Sequence, residues 1–339
     1  MTIKDIARLS GCSVATVSRV VNRHPDVSEE TRRRVMAVVE ENGFEPNKNA
    51  KHLKQRSDAG VAVIVKGTMN QLFANLVERL QDKLRGADVE VSVYYLDEDA
   101  NEVAYACLLC REHKPRGIVF LGGDLDLFRV GFSPITVPCV MLTNSAQELG
   151  FSNLSSFTTD DTRAAEQVID LLAARGHRRI GLVGGNFSCS QISYRRIEGC
   201  QKAFERWGIP FDLARQYESS RYSMADAYSA AQRLLQRCGD LTAIFAVSDV
   251  MAVGVMRALR DLGKSVPDDI SLVGYDGIAV SQYTIPRLAT VRQDVRLLAE
   301  WGARDLLQRM NWPAPPVHEI VPFTLVPGES VRTVQPPKT

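Results

Sequence analysis

The sequence predicts a small all-α unit at the N-terminus, followed by a large α/β unit with two lobes. Three observations support this prediction. In the first sixty residues apolar side chains recur at helical spacing, and from Gly60 onward short apolar runs alternate with helical stretches. The chain of 339 residues is also too long for one ordinary hydrophobic core, which indicates two or three compact units.

The composition is typical of a soluble globular protein, with 45% hydrophobic and 24% charged residues. The net charge of +1 conceals an asymmetry along the chain. Residues 1–57 hold 11 Lys and Arg against 7 Asp and Glu, whereas the remainder holds 30 against 33. A small basic head on a slightly acidic body is typical of a phosphate-binding module joined to a sensor.

No export signal or membrane segment is expected from the sequence. Lys4, Asp5 and Arg8 interrupt any apolar run at the N-terminus, and no uncharged apolar run approaches the ~18 residues of a membrane span. The seven cysteines are scattered, which favours reduced thiols in the cytoplasm. Cys107 and Cys110 form an isolated CxxC, which we interpret as two small core residues of one helix rather than a zinc or redox site.

Three helices are predicted within residues 1–45, taken in order along the chain. Thr2 is expected to cap the first helix and Gly11 to end it, and Ser13 is expected to cap the second. A longer third helix begins after Ser28 and ends at Asn42-Gly43. Two short helices joined by a tight Gly-containing turn make a helix-turn-helix, whose second helix enters the major groove of DNA.

The residues of this segment also resemble a known family. The run from Thr2 to Asn22, TIKDIARLSGCSVATVSRVVN, followed by VSEETRRRVMAVVEENGFEPN, is similar to headpieces of the lactose repressor/galactose repressor (LacI/GalR) family. The resemblance implies that Val14, Ala15 and Arg19 meet base edges, with Arg19 donating to guanine. A solvated Arg19 is the alternative. The remaining implied DNA contacts in this segment, mostly to phosphates, are Thr2, Ser13, Thr16, Ser18 and Asn22.

Residues 46–57, PNKNAKHLKQRS, resemble the hinge segment of the same family. The resemblance implies that Asn47, Ala50 and Lys51 contact DNA, and that Leu53 wedges between base steps in the minor groove. The family usually has arginine where this chain has Lys51, and lysine lacks the planar fork. The alternative for Leu53 is packing on the headpiece. Because so short a helix is unstable alone, we expect the hinge to order only on DNA.

The body is predicted to alternate strands with helices such as Leu72 to Leu84. Its apolar runs occupy residues 60–67, 89–96, 117–123, 137–142, 179–185, 241–249 and 269–276. Near-continuous apolar strands between helices predict parallel sheets that are covered on both faces. The series is long enough for two Rossmann-like lobes. Ligands of such sheets bind beyond the carboxyl ends of the strands, so we expect a cleft between the lobes.

This body is similar to the sensor of the same family, which shares its fold with periplasmic sugar-binding proteins. The resemblance extends to about residue 326 and is carried by RGHRRIGLVGG, AIFAVSDVMAVGVMRALRDLG and VPDDISLVGYDGI. The charged residues that it implies suit the adjacent hydroxyls of a sugar, and the aromatic ones suit a sugar ring or a base. The implied effector-binding residues are Leu72, Phe73, Asp160, Arg196, Tyr222, Ser248, Asp249 and Asp276.

Several of these positions have alternative interpretations. Asp161 could be the pocket residue and Asp160 a helix cap, and Asp249 could be the N-cap of the helix that follows it. The register around Tyr222 is loose. Where the family often has a proline after the first strand this chain has Lys66, which favours either an anionic effector such as a sugar phosphate or an ordinary solvated lysine.

The sequence therefore predicts a transcriptional regulator, interpreted as a repressor, that binds a near-palindromic operator in double-stranded DNA under control of a sugar-like effector. The expected domains are a headpiece at 1–45, a hinge at 46–57, and an effector-binding and dimerisation domain at 58–339. The last residues hold no heptad repeat, so a homodimer is expected.

An enzyme has little support in the sequence. No GxGxxG opens a helix after a strand, and no P-loop, nucleophile elbow or HExxH is present. No catalytic residue, cofactor or metal is therefore expected. The alternatives to a regulator are a sugar-modifying enzyme and an exported sugar-binding protein.

Overall fold

The computed structural model describes residues 3–13, 16–17, 20, 27–41, 60–67, 70–186 and 191–334. The chain divides into two compact units, Met1–Asp58 and Ala59–Thr339. The regular secondary structure described in the smaller unit is all helical, whereas the larger contains two β-sheets with helices on their faces. The predicted fold class is confirmed.

The small unit begins with helix α1, Ile3–Ser10, which ends where Gly11 adopts a left-handed φ of 64°. Ser13 then caps a second helical segment, because its Oγ accepts from the Thr16 backbone N–H at 3.1 Å. Helix α2 follows at Glu29–Glu41. The apolar residues at helical spacing form the core of this unit, namely Ile6, Ala7, Val17, Val20 and Val35.

The large unit contains twelve described strands in two sheets of six. The strands are β1 Val61–Lys66, β2 Val91–Leu96, β3 Gly117–Leu121, β4 Cys139–Leu142, β5 Leu154–Thr159, β6 Ile180–Gly184, β7 Tyr217–Ser219, β8 Ala243–Ala246, β9 Ser271–Asp276, β10 Ala289–Gln293, β11 His318–Val321 and β12 Phe323–Val326. Lobe 1 holds the sheet β11-β5-β4-β3-β1-β2, which is entirely parallel. Lobe 2 holds β12-β10-β9-β8-β6-β7, in which only β12 is antiparallel.

Helices cover both faces of each sheet. The described helices of the large unit are α3 Gln71–Arg85, α4 Glu102–Glu112, α5 Leu125–Gly131, α6 Asp161–Ala174, α7 Gln191–Arg206, α8 Leu213–Gln216, α9 Met224–Arg237, α10 Asp249–Asp261 and α11 Val295–Asn311, and short 3₁₀ turns lie at Gln147–Leu149 and Ala279–Gln282. Strand β3 shows why its sequence is continuously apolar. Ile118 and Phe120 pack with α4 and α5 on one face, whereas Val119 and Leu121 pack with α3 and α11 on the other. Among the described helices, none has the length and apolar character needed to span a bilayer.

The chain passes between the lobes three times, after β5, after β10 and between β11 and β12. Two of these crossovers are joined by a buried hydrogen bond, in which Thr159 Oγ1 donates to Gln293 Oε1 at 2.9 Å. Thr159 ends β5 and Gln293 ends β10. The joint between the lobes therefore lies at the carboxyl ends of the strands, where the sequence predicts a ligand.

All seven predicted apolar runs form strands, and the helix predicted over Leu72 to Leu84 is α3. Five strands were not predicted: β5, β7, β10, β11 and β12. Cys107 and Cys110 lie on α4 and pack, half-buried, against the apolar cluster of lobe 1, as interpreted from the sequence.

Candidate functional site

A cleft of about 740 Å³ lies between the two lobes, at the carboxyl ends of strands from both sheets. Residues after β1, β2, β3 and β4 line it from lobe 1, and residues after β6, β7, β9 and β10 line it from lobe 2. This is where ligands bind in doubly wound sheets. Five of the eight predicted effector-binding residues line the cleft: Leu72, Phe73, Arg196, Tyr222 and Asp276.

Arg196 lies on α7 with only 4% of its surface exposed. Its Nε donates to Asp161 Oδ1 at 2.8 Å, its Nη1 donates to the Val247 carbonyl, and its guanidinium carbon lies 3.6 Å from the centre of the Tyr275 ring. Its Nη2 lies 4.0 Å from Asp276 Oδ1. Burial alone would lower the pKa of Arg196, but the surrounding acidic groups, Asp161 foremost, together outweigh this and raise it. The guanidinium is therefore charged and fixed in position without a ligand.

Asp276 ends β9 with a φ of 107° and turns its carboxyl group into the cleft. Ser248 Oγ donates to its Oδ2 at 2.9 Å, and Gln293 Nε2 donates to its Oδ1 at 2.8 Å. Burial raises the pKa of Asp276 to about 6, and the Arg196 charge limits this rise. Ser248, itself predicted to bind the effector, does not line the cleft but orients Asp276 from behind.

An aromatic ring from each lobe lines the cleft. Phe73, from α3, packs close to Gly122, where an added Cβ would lie 3.2 Å from Phe73 Cζ. Tyr222, which follows β7, hydrogen-bonds through its hydroxyl to Ser193 Oγ at 2.8 Å. Gly185 leaves room for this ring, because a Cβ there would lie 2.7 Å from Tyr222 Cε2. Glycines at the strand ends thus admit flat apolar surfaces suited to a sugar ring.

Asp160 does not line the cleft, which departs from its predicted role. It is the N-cap of α6, and its Oδ1 accepts from the Arg163 backbone N–H at 2.9 Å. The neighbouring Asp161 instead meets Arg196 from behind the cleft. A helix cap was the alternative that the sequence left open for Asp160, and this is the position that Asp160 holds in the structure.

Asp249 also lies away from the cleft lining, and it is not the cap of α10, since Ser248 holds that position. The Asp249 side chain is fully buried. It accepts from Thr290 Oγ1 at 2.6 Å and from the Ile278 backbone N–H at 2.9 Å. Burial and the nearby Asp276 raise the pKa of Asp249 well above its usual value. Its contacts tie α10 to the turn after β9, a structural role that neither sequence interpretation anticipated.

Lys66 is not an ordinary solvated lysine, which was one of the two interpretations left open by the sequence. Its Nζ lies 2.7 Å from Glu102 Oε2, and the two side chains are 11% and 1% exposed. Lys66 also lines the cleft. Sequence reasoning missed Glu102 because the two residues lie far apart in the chain and meet only through the fold.

An ion-pair cluster bridges the two lobes at one end of the cleft. Arg221, after β7, contacts Asp97 Oδ1 at 2.6 Å, Asp99 Oδ2 at 3.2 Å and Glu98 Oε2 at 3.7 Å, all after β2. Since β2 and β7 are edge strands of their sheets, the loops that follow them meet at one end of the cleft. We call Arg221 with residues 97–99 the clasp. Its members line the cleft but were not predicted from the sequence.

Further cleft-lining residues missed by the sequence interpretation are Asn70, Thr143, Asn186 and Gln293. Each lies within four residues of the end of a strand. The strand ends were therefore the signal that could have found them. Within the described ranges, no three His, Cys, Asp or Glu side chains are placed to hold one metal ion.

In the small unit, Ser13 is exposed and Thr16 partly exposed, whereas Val17 and Val20 are buried. The hydroxyls of Ser13 and Thr16 lie 2.8 Å apart at the start of the second helix. An outward polar edge at this helix start is consistent with phosphate contacts. The other predicted DNA contacts lie outside the described residues: Thr2, Val14, Ala15, Ser18, Arg19, Asn22, Asn47, Ala50, Lys51 and Leu53.

A small helical unit followed by a two-lobed α/β unit with an interlobe cleft is the architecture of transcriptional regulators that carry their own ligand sensor. Residues 2–47 match the bacterial regulatory proteins of the lacI family, and residues 169–331 match the periplasmic binding protein-like domain. The chain belongs to the LacI family, and it is a DNA-binding transcriptional regulator.

Relatives match over nearly the whole chain. The HTH-type transcriptional regulator MalR of Clostridium butyricum is 33% identical over 97% of this chain and 99% of its own. The HTH-type transcriptional regulator GalR of Escherichia coli (strain K12) is 32% identical, over 98% and 96%. A solved lac repressor dimer, bound to operator and the anti-inducer ONPF, is 26% identical over 98% and 99%, with a TM-score of 0.76. All three relatives are named as transcriptional regulators or repressors.

Proposed function

We propose that the protein is a homodimeric repressor whose interlobe cleft binds a sugar-like effector and thereby sets the affinity of its headpieces for a near-palindromic operator. One observation carries the proposal. The cleft presents a fixed guanidinium, Arg196, beside a buried carboxyl, Asp276, with an aromatic ring from each lobe. Such a set of donors, acceptors and flat faces suits a polyhydroxylated ring.

In this proposal Asp276 accepts from one effector hydroxyl while Arg196 donates to its neighbour. Phe73 and Leu72 support the ring from lobe 1, and Tyr222 supports it from lobe 2. Because these contacts come from both lobes, the effector prefers one interlobe arrangement over others. A ligand shifts the equilibrium between two conformations only as far as its affinities for them differ. The preference of the effector for one interlobe arrangement provides this difference.

The proposed DNA contacts follow the family resemblance. Val14, Ala15 and Arg19 read bases in the major groove, and Leu53 wedges the central minor groove. The proposed division is a headpiece at 1–45, a hinge at 46–57 and an effector-binding and dimerisation domain at 58–339. Two headpieces of a dimer reach two half-sites of the operator. The similar lac repressor, solved as a dimer on operator, supports this arrangement. We propose that the protein acts in the cytoplasm, where its DNA target lies, and that it acts by binding rather than by catalysis.

The test is selection of operator DNA from a random pool by the full-length protein, followed by affinity measurements with and without a sugar panel. We expect the selected DNA to be near-palindromic. We also expect one sugar of the panel, charged or uncharged, to change the affinity of the protein for this DNA at least about tenfold, or by about 1.4 kcal/mol. Without any preference over random DNA at moderate salt, the headpiece assignment fails. With a preference that no compound changes, the effector assignment fails.

A further inference from the structure

We infer that the effector is uncharged and that the buried Lys66–Glu102 pair makes the cleft discriminate against anionic sugars. This inference rests on the proposed function, since it specifies the chemical class that the cleft accepts. Among described residues three cations line the cleft, namely Lys66, Arg196 and Arg221. What matters for an anionic ligand is whether any of these charges is left uncompensated.

The first cation, Lys66, is neutralised from behind the cleft. Its Nζ lies 2.7 Å from Glu102 Oε2, and Glu102 is only 1% exposed. The other oxygen of Glu102, Oε1, accepts from the Asp124 backbone N–H at 2.6 Å. Both carboxylate oxygens of Glu102 are thus engaged by hydrogen-bond donors. An ammonium carries three donors, so Lys66 can still donate to a ligand hydroxyl while contributing no net charge with Glu102.

The other two cations are compensated in the same way. Arg196 holds Asp161 at 2.8 Å and approaches Asp276 to 4.0 Å. Arg221 is surrounded by the three acids of the clasp, the nearest being Asp97 at 2.6 Å. Each cleft cation therefore faces at least one carboxylate within ion-pair distance.

Carboxylates outnumber cations around the cleft. Five of them line it, namely Asp97, Glu98, Asp99, Asp226 and Asp276, and Glu102 and Asp161 lie behind it. Residues 68–69 and 187–190, which are outside the described ranges, contain no charged residue in the sequence. A phosphate or uronate would enter a field of net negative charge. The hydroxyls of an uncharged sugar, by contrast, can accept from Lys66 or donate to Asp276.

The first test uses the full-length protein and matched pairs of probes: glucose with glucose 6-phosphate, galactose with galacturonate, and ribose with ribose 5-phosphate. Binding is measured by thermal unfolding and by its effect on operator affinity. We expect that any pair that binds does so through its uncharged member, with the anionic member at least about tenfold weaker, or about 1.4 kcal/mol. An anionic member that binds more tightly overturns the inference but leaves an effector-controlled repressor intact.

The second test needs no effector and uses inorganic phosphate as the probe. Glu102→Gln removes the compensating charge, so phosphate should stabilise this variant at concentrations at least about tenfold lower than wild type requires. Glu112→Gln, an exposed carboxyl on the same helix, is the matched control and should behave as wild type. Adding Lys66→Met to Glu102→Gln should abolish the gain.

A third variant covers the case in which Glu102→Gln does not fold. Asp97→Asn combined with Asp99→Asn removes exposed partners of Arg221, so the fold is retained while one cleft cation loses compensation. Phosphate affinity should rise again, by a smaller factor because solvent screens the site. Wild type that binds phosphate as tightly as the variants, or folded variants that gain no affinity, overturns the inference whether or not a sugar effector is found.

Discussion

Asp276→Asn should make the protein more stable at pH 7 and weaken its binding of the effector. The pKa of Asp276 rises from 3.8 to about 6 in the folded protein, mainly because the side chain is buried. At pH 7 the ionised carboxyl is therefore less stable in the folded protein than in the unfolded chain, by about 3 kcal/mol. Asparagine has nearly the same shape and carries no charge. Its Oδ1 can still accept from Gln293, and Ser248 can rotate its hydroxyl to accept from the new amide.

The sign of the pH dependence follows from the raised pKa. Well below pH 4 the Asp276 carboxyl is protonated in the folded and in the unfolded protein, and it does not change the free energy of unfolding. Between pH 4 and 6 the folded protein binds more protons at this group than the unfolded chain does. Stability from this group therefore falls as pH rises from 4 to 6 and stays low above 6. The variant should exceed wild type by up to about 3 kcal/mol at pH 7 and by much less at pH 4.5.

The assay is urea unfolding of both proteins at the two pH values, together with effector titration at pH 7. Loss of a charge-assisted hydrogen bond should weaken effector binding by about 1.5–3 kcal/mol, or about 10- to 100-fold. Operator affinity without effector should not change. A variant less stable than wild type at pH 7 would refute the reasoning, because it would mean that attraction to Arg196 outweighs the cost of burial.

Other substitutions test separate parts of the molecule. Arg196→Met should lower the free energy of unfolding, measured in urea, by about 3–5 kcal/mol, because it leaves the buried Asp161 without its counter-ion. Adding Asp161→Asn should recover part of this loss, and no recovery would show that the ion pair is not its cause. Arg221→Ala opens the clasp with Asp97 and should speed effector dissociation in stopped-flow measurements without changing stability; an unchanged rate would show that the clasp does not retain the ligand. Leu53→Ala should weaken operator binding and reduce DNA bending measured by fluorescence energy transfer, and unchanged bending would contradict the wedge.

Six of the seven strands that the sequence predicts are apolar and buried at nearly every position, whereas β2, at the edge of its sheet, is only partly buried. Strand β5 was not predicted because Ser155 and Ser156 interrupt its apolar pattern, although both side chains are fully buried. Ser155 Oγ accepts from Arg309 at 2.9 Å, and Ser156 Oγ meets His318 Nδ1 at 2.7 Å. The partners that make these serines acceptable in a core lie about 150 residues away in the chain. No local pattern carries that information.

The site was predicted less completely than the fold for a related reason. The family resemblance implied Arg196, Asp276 and Phe73, and all three line the cleft. Whether Asp160 or Asp161 faces Arg196 depends on the residue at which α6 begins, and a shift of one position exchanges their roles. Sequence patterns locate helix ends only to within a few residues, so they cannot decide between adjacent carboxylates.

The hydrogen bonds of Asp276 also explain how a ligand in the cleft would act on the whole large unit. Gln293 donates to Asp276 through its amide nitrogen and accepts from Thr159 through its amide oxygen. Its two ends therefore join the carboxyl that faces the cleft to the crossover after β5. An effector hydroxyl that binds Asp276 competes with Gln293 for the same acceptor, and any turn of the Gln293 amide disturbs the bond between the two crossovers. The contact proposed to recognise the effector is thus one side chain away from the hydrogen bond that joins two of the interlobe crossovers.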